Sequence, residues 1–190
     1  WVTQSNVSNF PGINSTAPYF QIRTNVSKSR TYGAELLAEI NWLTLFSNKE
    51  NTNKITTFLN LSTIDARYVS SDEPAYDNKK VELVPPITLR TGLSVSNNKF
   101  SASYQFSFVK EHYSDATNAL THPHGIVGLI PHYSVMDISI KYTIHKFQFE
   151  GGINNLTNLS YFTRRATGYP GPGIIPSPPR NFYIAAQIKL

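Results

Sequence analysis

Two groups of side chains in this sequence are of types that do chemistry. His112, His122, His124 and His132 gather in one stretch, with His122-Pro123-His124 the tightest spacing. Imidazole is the commonest protein ligand for transition metals near neutral pH, so His122 and His124 are candidates for metal or heme. No carboxylate stands at helical spacing beside them, and the polarity of a surface loop accounts for them as well. The second group is Arg164-Arg165 with Tyr169. Guanidinium planes pair bidentately with carboxylates and suit an anionic ligand, although anchoring a loop or meeting an anionic lipid headgroup suits them equally. Gln21 and Arg23 are further candidates for the same anion. Glu35, Glu39, Asp137 and Glu150 are of the type that pairs for acid and base catalysis, yet G-x-S-x-G, H-E-x-x-H and a phosphate-binding glycine loop are all missing. The chain does not read as an enzyme.

The elements that would position these residues are strands. Apolar residues fall at alternating positions far more often than at helical spacing. In Tyr133 to Ile144, Met136, Ile138, Ile140, Tyr142 and Ile144 alternate with Asp137, Ser139, Lys141 and Thr143, so one face meets water and the other hydrocarbon. Phe147, Phe149, Gly151 and Ile153 continue the pattern after a tight turn at His145-Lys146. Phe182, Ile184, Ala186 and Ile188 repeat it near the C-terminus. Ile87 to Val95 and Phe100 to Phe108 form another such pair through Asn97-Asn98, and segment 30–43 carries Tyr32, Ala34, Leu36, Ala38, Ile40 and Trp42 on one face. Segment 54–68 is less regular, because Leu59 and Leu61 oppose Phe58 and Ile64, and a β-bulge is expected there.

Composition narrows the class. The 190 residues include no Cys, 11 Tyr and 11 Phe, with 40% hydrophobic and only 15% charged residues. That is too apolar for a disordered segment, while no run approaches the roughly 20 residues of a membrane-spanning helix. Net charge is +5, but the Lys and Arg are scattered, so nucleic acid is not an expected partner. The start, Trp1-Val2-Thr3-Gln4, carries no signal peptide, as expected if one was removed or if the chain begins inside a longer one. Connections near 44–53, 96–99 and 144–146 are short, whereas those near 69–85, 113–131 and 156–180 are long and hold the prolines. In an up-and-down antiparallel sheet, short and long connections then lie at opposite ends. This is the plan of an outer-membrane barrel, apolar outside and polar inside. Two alternatives remain: a complete small barrel of about eight strands with an adhesive or structural role, and a soluble β-sandwich binding module. A sandwich would not carry Glu35, Glu39, Arg90, Asp137, Lys141 and Glu150 on its inner face.

The C-terminal segment resembles a known family. Gly151-Gly152-Ile153-Asn154-Asn155-Leu156-Thr157-Asn158, Tyr161-Phe162-Thr163-Arg164-Arg165, Gly168-Tyr169-Pro170-Gly171-Pro172-Gly173 and Arg180-Asn181-Phe182-Tyr183 are similar to the end of TonB-dependent outer-membrane receptors, most of all the ferric citrate branch. Tyr32-Gly33-Ala34-Glu35, Pro85-Pro86 and Ile130-Pro131-His132-Tyr133-Ser134-Val135-Met136-Asp137 also match. The resemblance implies an all-β, antiparallel up-and-down transmembrane β-barrel, of which residues 1–190 supply the C-terminal part, about seven strands of a 22-stranded whole. The plug domain would lie outside this chain, and TonB would act through that plug. It further implies the bacterial outer membrane, contact with its lipid, no cofactor, and import of an iron chelate such as ferric citrate or another siderophore. Arg164, Arg165, Tyr169, Gln21 and Arg23 would then face the ligand.

Overall fold

The computed structural model describes residues 27–46, 52–166, 168 and 172–189. Seven long strands form one antiparallel sheet: β1 (Ser27–Asn41), β2 (Lys54–Ser71), β3 (Ile87–Ser96), β4 (Phe100–Val109), β7 (Tyr133–Ile144), β8 (Phe147–Asn154) and β11 (Asn181–Ile188). They lie side by side in chain order, each paired with the next. Two short ribbons stand within the long connections, β5 (His112–Tyr113) with β6 (Leu129–Ile130), and β9 (Phe162–Ala166) with β10 (Gly173–Pro176). β1 and β11 are the two edges of the sheet and do not pair with each other, unlike the first and last strands of a small closed barrel.

Registers carry the two faces across all seven strands. Leu36 stands opposite Leu61, which stands opposite Leu89, then Phe108. Phe100, Tyr142 and Phe149 form another row, ending on Ala186. This apolar face has no second layer among the described residues: Leu36 is 51% and Ile184 91% exposed. A sandwich would bury such a face. Glu35, Glu39, Arg90, Asp137, Lys141 and Glu150 all take the opposite, polar face, as the alternation requires.

The expected bulge in segment 54–68 is not there. β2 pairs with β1 without interruption from Thr56 to Tyr68, and the register shifts instead between Lys28 and Ser29. Phe58 and Ile64 do face the polar side, but each stands directly opposite a glycine, Gly92 and Gly33 respectively. Tyr183 stands opposite Gly152 in the same way. A bulky side chain, a ring in Phe58 and Tyr183, thus stands against a missing one on the neighbouring strand, and the ladder stays regular.

At the end with short connections, turns are tight. His145 takes a φ of 52° between β7 and β8, and the Asn97 side chain accepts the N–H groups of Lys99 and Phe100 between β3 and β4. A five-residue helix, α1 (Trp42–Phe46), follows β1, although the alternation indicates no helix. Its start is capped by Asn41 Oδ1, which accepts the Thr44 N–H, and Trp42 Nε1 donates to Thr57 Oγ1 at 3.0 Å.

Adjacent glycines give opposite expectations. A Cβ on Gly152 would meet Tyr183 Cε1 at 2.5 Å and the Ile138 carbonyl oxygen at 2.7 Å, whereas one on Gly151 would meet nothing nearer than 3.5 Å. Gly152→Val should cost about 1–3 kcal/mol and Gly151→Ala within about 0.5 kcal/mol, read as urea midpoints of the full-length protein refolded into lipid vesicles. Equal midpoints would remove the ring-over-glycine account.

Candidate functional site

The long connections, 72–86, 110–132 and 155–180, rise from the end of the sheet opposite α1, and most of the buried residues lie there, Ala66 and Gly92 of the sheet being the others among the described residues. Ile130 is fully buried, with His112 at 7% and Asn155 at 2% exposure. Side chains that hydrogen-bond to backbone groups tie the three loops in series. Asn118, at a φ of 56°, accepts the Lys80 N–H at 2.7 Å and donates through Nδ2 to the Lys80 carbonyl at 2.8 Å, joining the first loop to the second. The Leu83 N–H adds a bond to the Tyr113 carbonyl.

Arg165 joins the second loop to the third. Its Nη1 donates to the Gly125 carbonyl at 2.8 Å and Nη2 to the Leu129 carbonyl at 2.9 Å, with the guanidinium 5.1 Å from the Phe162 ring centroid. These bonds are those of a loop anchor, one of the uses open to this side chain. Arg164, its neighbour on β9, is exposed. Tyr169, Gln21 and Arg23 lie outside the described residues.

Asn155 fixes the base of the third loop. At a φ of 52°, its Oδ1 accepts the Leu159 N–H and its Nδ2 donates to the Leu159 carbonyl, both at 2.9 Å. Its own N–H donates to Asp137 Oδ1 at 2.9 Å, and the Leu156 N–H to the Met136 carbonyl at 2.7 Å. Two of the motif stretches therefore meet through hydrogen bonds. Asn158 continues the network by accepting the Arg180 N–H. Asn118 and Asn155 hold the loops without having been singled out as site residues; Asn155 lies in one of the motif stretches, and Asn118 carries only the preference of asparagine for a left-handed turn.

The histidines separate into different roles. His112 is buried, with Nδ1 3.1 Å from the Lys110 carbonyl. His132 tilts against Phe108 and has Glu111 at 3.8 Å. His122 and His124 do come together, ring centroids 5.6 Å apart, with His122 Nδ1 accepting the His124 N–H. Among the described residues no third metal-ligating side chain joins them. At the loop end of β2, Tyr68 donates to Glu82 of the first loop at 2.7 Å.

Below the loops, the polar face bears a depression of about 180 Å³ lined by Ser103, Gln105, Asp137, Ser139, Asn154 and Tyr183. Ser103 and Ser139 are hydrogen-bonded at 2.7 Å, and Tyr183 donates to Glu150 at 3.2 Å. No nucleophile with an adjacent base is among these groups. The arrangement suits holding a polar ligand or another protein surface.

Arg165→Ala should free the third loop from the second and speed limited proteolysis within 113–131 and 156–180 several-fold, while leaving the sheet's thermal transition in place. Asn155→Ala should cost about 1–3 kcal/mol in the unfolding midpoint, since it strands two part-buried backbone groups of Leu159. Unchanged cleavage for the first, or an unchanged midpoint for the second, would count against these roles.

The family model described as TonB dependent receptor-like, beta-barrel matches residues 2–156. A search of curated protein sequences gives no match. Among solved structures, the chain superposes on the ferric citrate transporter FecA in its unliganded form with a TM-score of 0.75, at 18% identity over 85% of this chain and 24% of that one. The ferric yersiniabactin uptake receptor FyuA from Yersinia pestis gives 0.67, at 18% identity over 86% of this chain and 24% of that one. The copper transporter OprC gives 0.64, at 18% identity over 88% of this chain and 24% of that one. The chain thus spans about a quarter of the length of each. With a seven-stranded sheet of continuous register, apolar on one face and polar on the other, and with the family model matching most of its length, the chain belongs to the TonB-dependent receptor β-barrel family, transport receptors of the bacterial outer membrane.

Proposed function

We propose that residues 1–190 form the C-terminal part of a 22-stranded receptor barrel that imports an iron chelate, with ferric citrate as the first candidate. The plug and the TonB-contacting segment belong to parts of the receptor outside this chain. The observation that carries the reading is the series of three long loops, tied by Asn118 and Arg165 above the polar face, with Arg164 left exposed beside the anchor. Preformed loops reduce the ordering cost of holding a ligand, and an exposed guanidinium recognises carboxylates bidentately. Arg164 would make that contact, together with Tyr169, Gln21 and Arg23; Arg165 would hold the loop that presents it. The name of FecA supplies the citrate candidate, and that of FyuA the wider class of ferric siderophores.

Deleting the full-length gene should abolish uptake of radiolabelled ferric citrate in iron-starved cells, and an Arg164→Gln receptor should restore it with at least about tenfold weaker apparent affinity. Normal ferric citrate uptake in the deletion strain would overturn the citrate assignment. Full restoration by the variant would remove Arg164 from the ligand site.

A further inference from the structure

The outward face at the loop end of β1 and β2 carries a cluster of cations in cross-strand register. Arg30 stands directly opposite Arg67, and Arg67 directly opposite Lys80. Directly paired residues of an antiparallel ladder project to the same side, so the three cations form one row across three neighbouring chain segments. Lys28, two residues before Arg30 on β1, takes the same side by alternation; Val69 of β2 is the extra residue of the bulge there, and Lys28 stands opposite Ser70. The row lies on the apolar face: below Arg30 along β1 come Tyr32, Ala34, Leu36, Ala38 and Ile40.

Position along the strand sets what this row meets. The apolar residues end at Tyr32, which is 60% exposed, and an aromatic ring at such a boundary marks the level of lipid headgroups. Arg30 lies over the Tyr32 ring at 5.0 Å, an arrangement that keeps its stem on apolar surface and its charge in the headgroup layer. Asp65, opposite Tyr32, is the one carboxylate on these rungs, and it pairs with Arg67 at 3.1 Å. Lys28, Arg30, Arg67 and Lys80 against Asp65 leave a net charge of +3. Glu82, the nearest acid of the same loop, is held by Tyr68 on the other face. Asp72, Glu73 and Asp77 follow Ser71 at the loop tip.

We propose that this row is a binding site for the phosphate groups of an outer-leaflet glycolipid, the phosphorylated sugar headgroup of lipopolysaccharide, with its acyl chains lying along the apolar rungs beneath. Two guanidinium groups and an ammonium in one row match adjacent phosphates, and the apolar strip below accepts hydrocarbon. A soluble anion would use only the first of these features. The lipid uses both.

The test is native mass spectrometry of the full-length receptor in detergent, titrated with diphosphoryl lipid A, with its dephosphorylated form, and with inorganic phosphate as competitor. The native receptor should hold diphosphoryl lipid A. A combined Arg30→Gln, Arg67→Gln, Lys80→Gln variant should bind it at least about tenfold more weakly, given roughly fivefold per cation facing an anionic surface. Dephosphorylated lipid should bind both forms equally weakly. Asp65→Asn, which removes the opposing charge, should bind at least as tightly as the native protein, and it decides the matter if the triple variant fails to give a heat-modifiable, folded barrel. Equal binding by a folded triple variant would overturn the proposal. So would equal loss in an Arg90→Gln, Lys141→Gln control on the polar face, weakened binding in Asp65→Asn, or complete displacement of the lipid by millimolar phosphate, the last marking a free-anion site.

Discussion

Hydrocarbon offers no hydrogen bonds, so every backbone N–H and C=O that crosses the membrane must find its partner in a neighbouring strand. That constraint explains why the seven strands hold one register from β1 to β11 with a single shift, and why the shift sits at Lys28 and Ser29, near the loop end of the sheet, where water can satisfy what the ladder leaves open. It also explains how irregular residues are accommodated. A bulge at Phe58 or Ile64 would leave unpaired amides within the apolar band. Placing each opposite a glycine, Gly92 or Gly33, changes the packing and leaves the hydrogen bonds alone.

The loops face a different problem. They lie in water, where backbone groups are easily satisfied, but they have little apolar surface to bury: among the described residues Ile130 is the one fully buried large side chain. Order there comes from side chains that reach backbone groups, far away in sequence for Asn118 and Arg165 and four residues on for Asn155. Asn118 to Lys80, Arg165 to Gly125 and Leu129, and Asn155 to Leu159 each satisfy two backbone groups with one rigid planar group. A planar amide or guanidinium with two hydrogen bonds fixes direction as well as distance. Removing any one loosens a whole loop, while the sheet keeps its own ladder.

Legibility in the sequence follows the same division. The faces of β3, β4, β7, β8 and β11 could be read from alternation because a side chain's face depends only on its parity within its own strand. The connections could be sorted into short and long by length alone. Asn118 and Arg165 could not be assigned, since their partners lie 38 and up to 40 positions away, and nothing local distinguishes an anchoring arginine from a ligand-binding one. The bulge was placed wrongly because Phe58 and Ile64 break the alternation within β2, while the glycines that accommodate them lie on β3 and β1. The helix α1 was missed because its five residues are too few to show a period.

Arg164 and Arg165 show how one strand can serve both demands. They are neighbours on β9, whose two faces differ: one turns toward the second loop, where the Gly125 and Leu129 carbonyls are, and the other toward solvent. Period-two alternation therefore gives adjacent arginines opposite tasks. The anchored residue makes the ribbon rigid, and a rigid ribbon holds the exposed residue at a defined place and angle. Gly125 and Gly128, both at positive φ, lie against the anchoring guanidinium, where a Cβ on Gly128 would meet Nη2 at 3.4 Å. A doubled arginine in a loop is thus better understood as one anchor and one free head than as a pair of equivalent charges. Strand parity, which orders the membrane face of the sheet, also decides which of the two is available to a ligand.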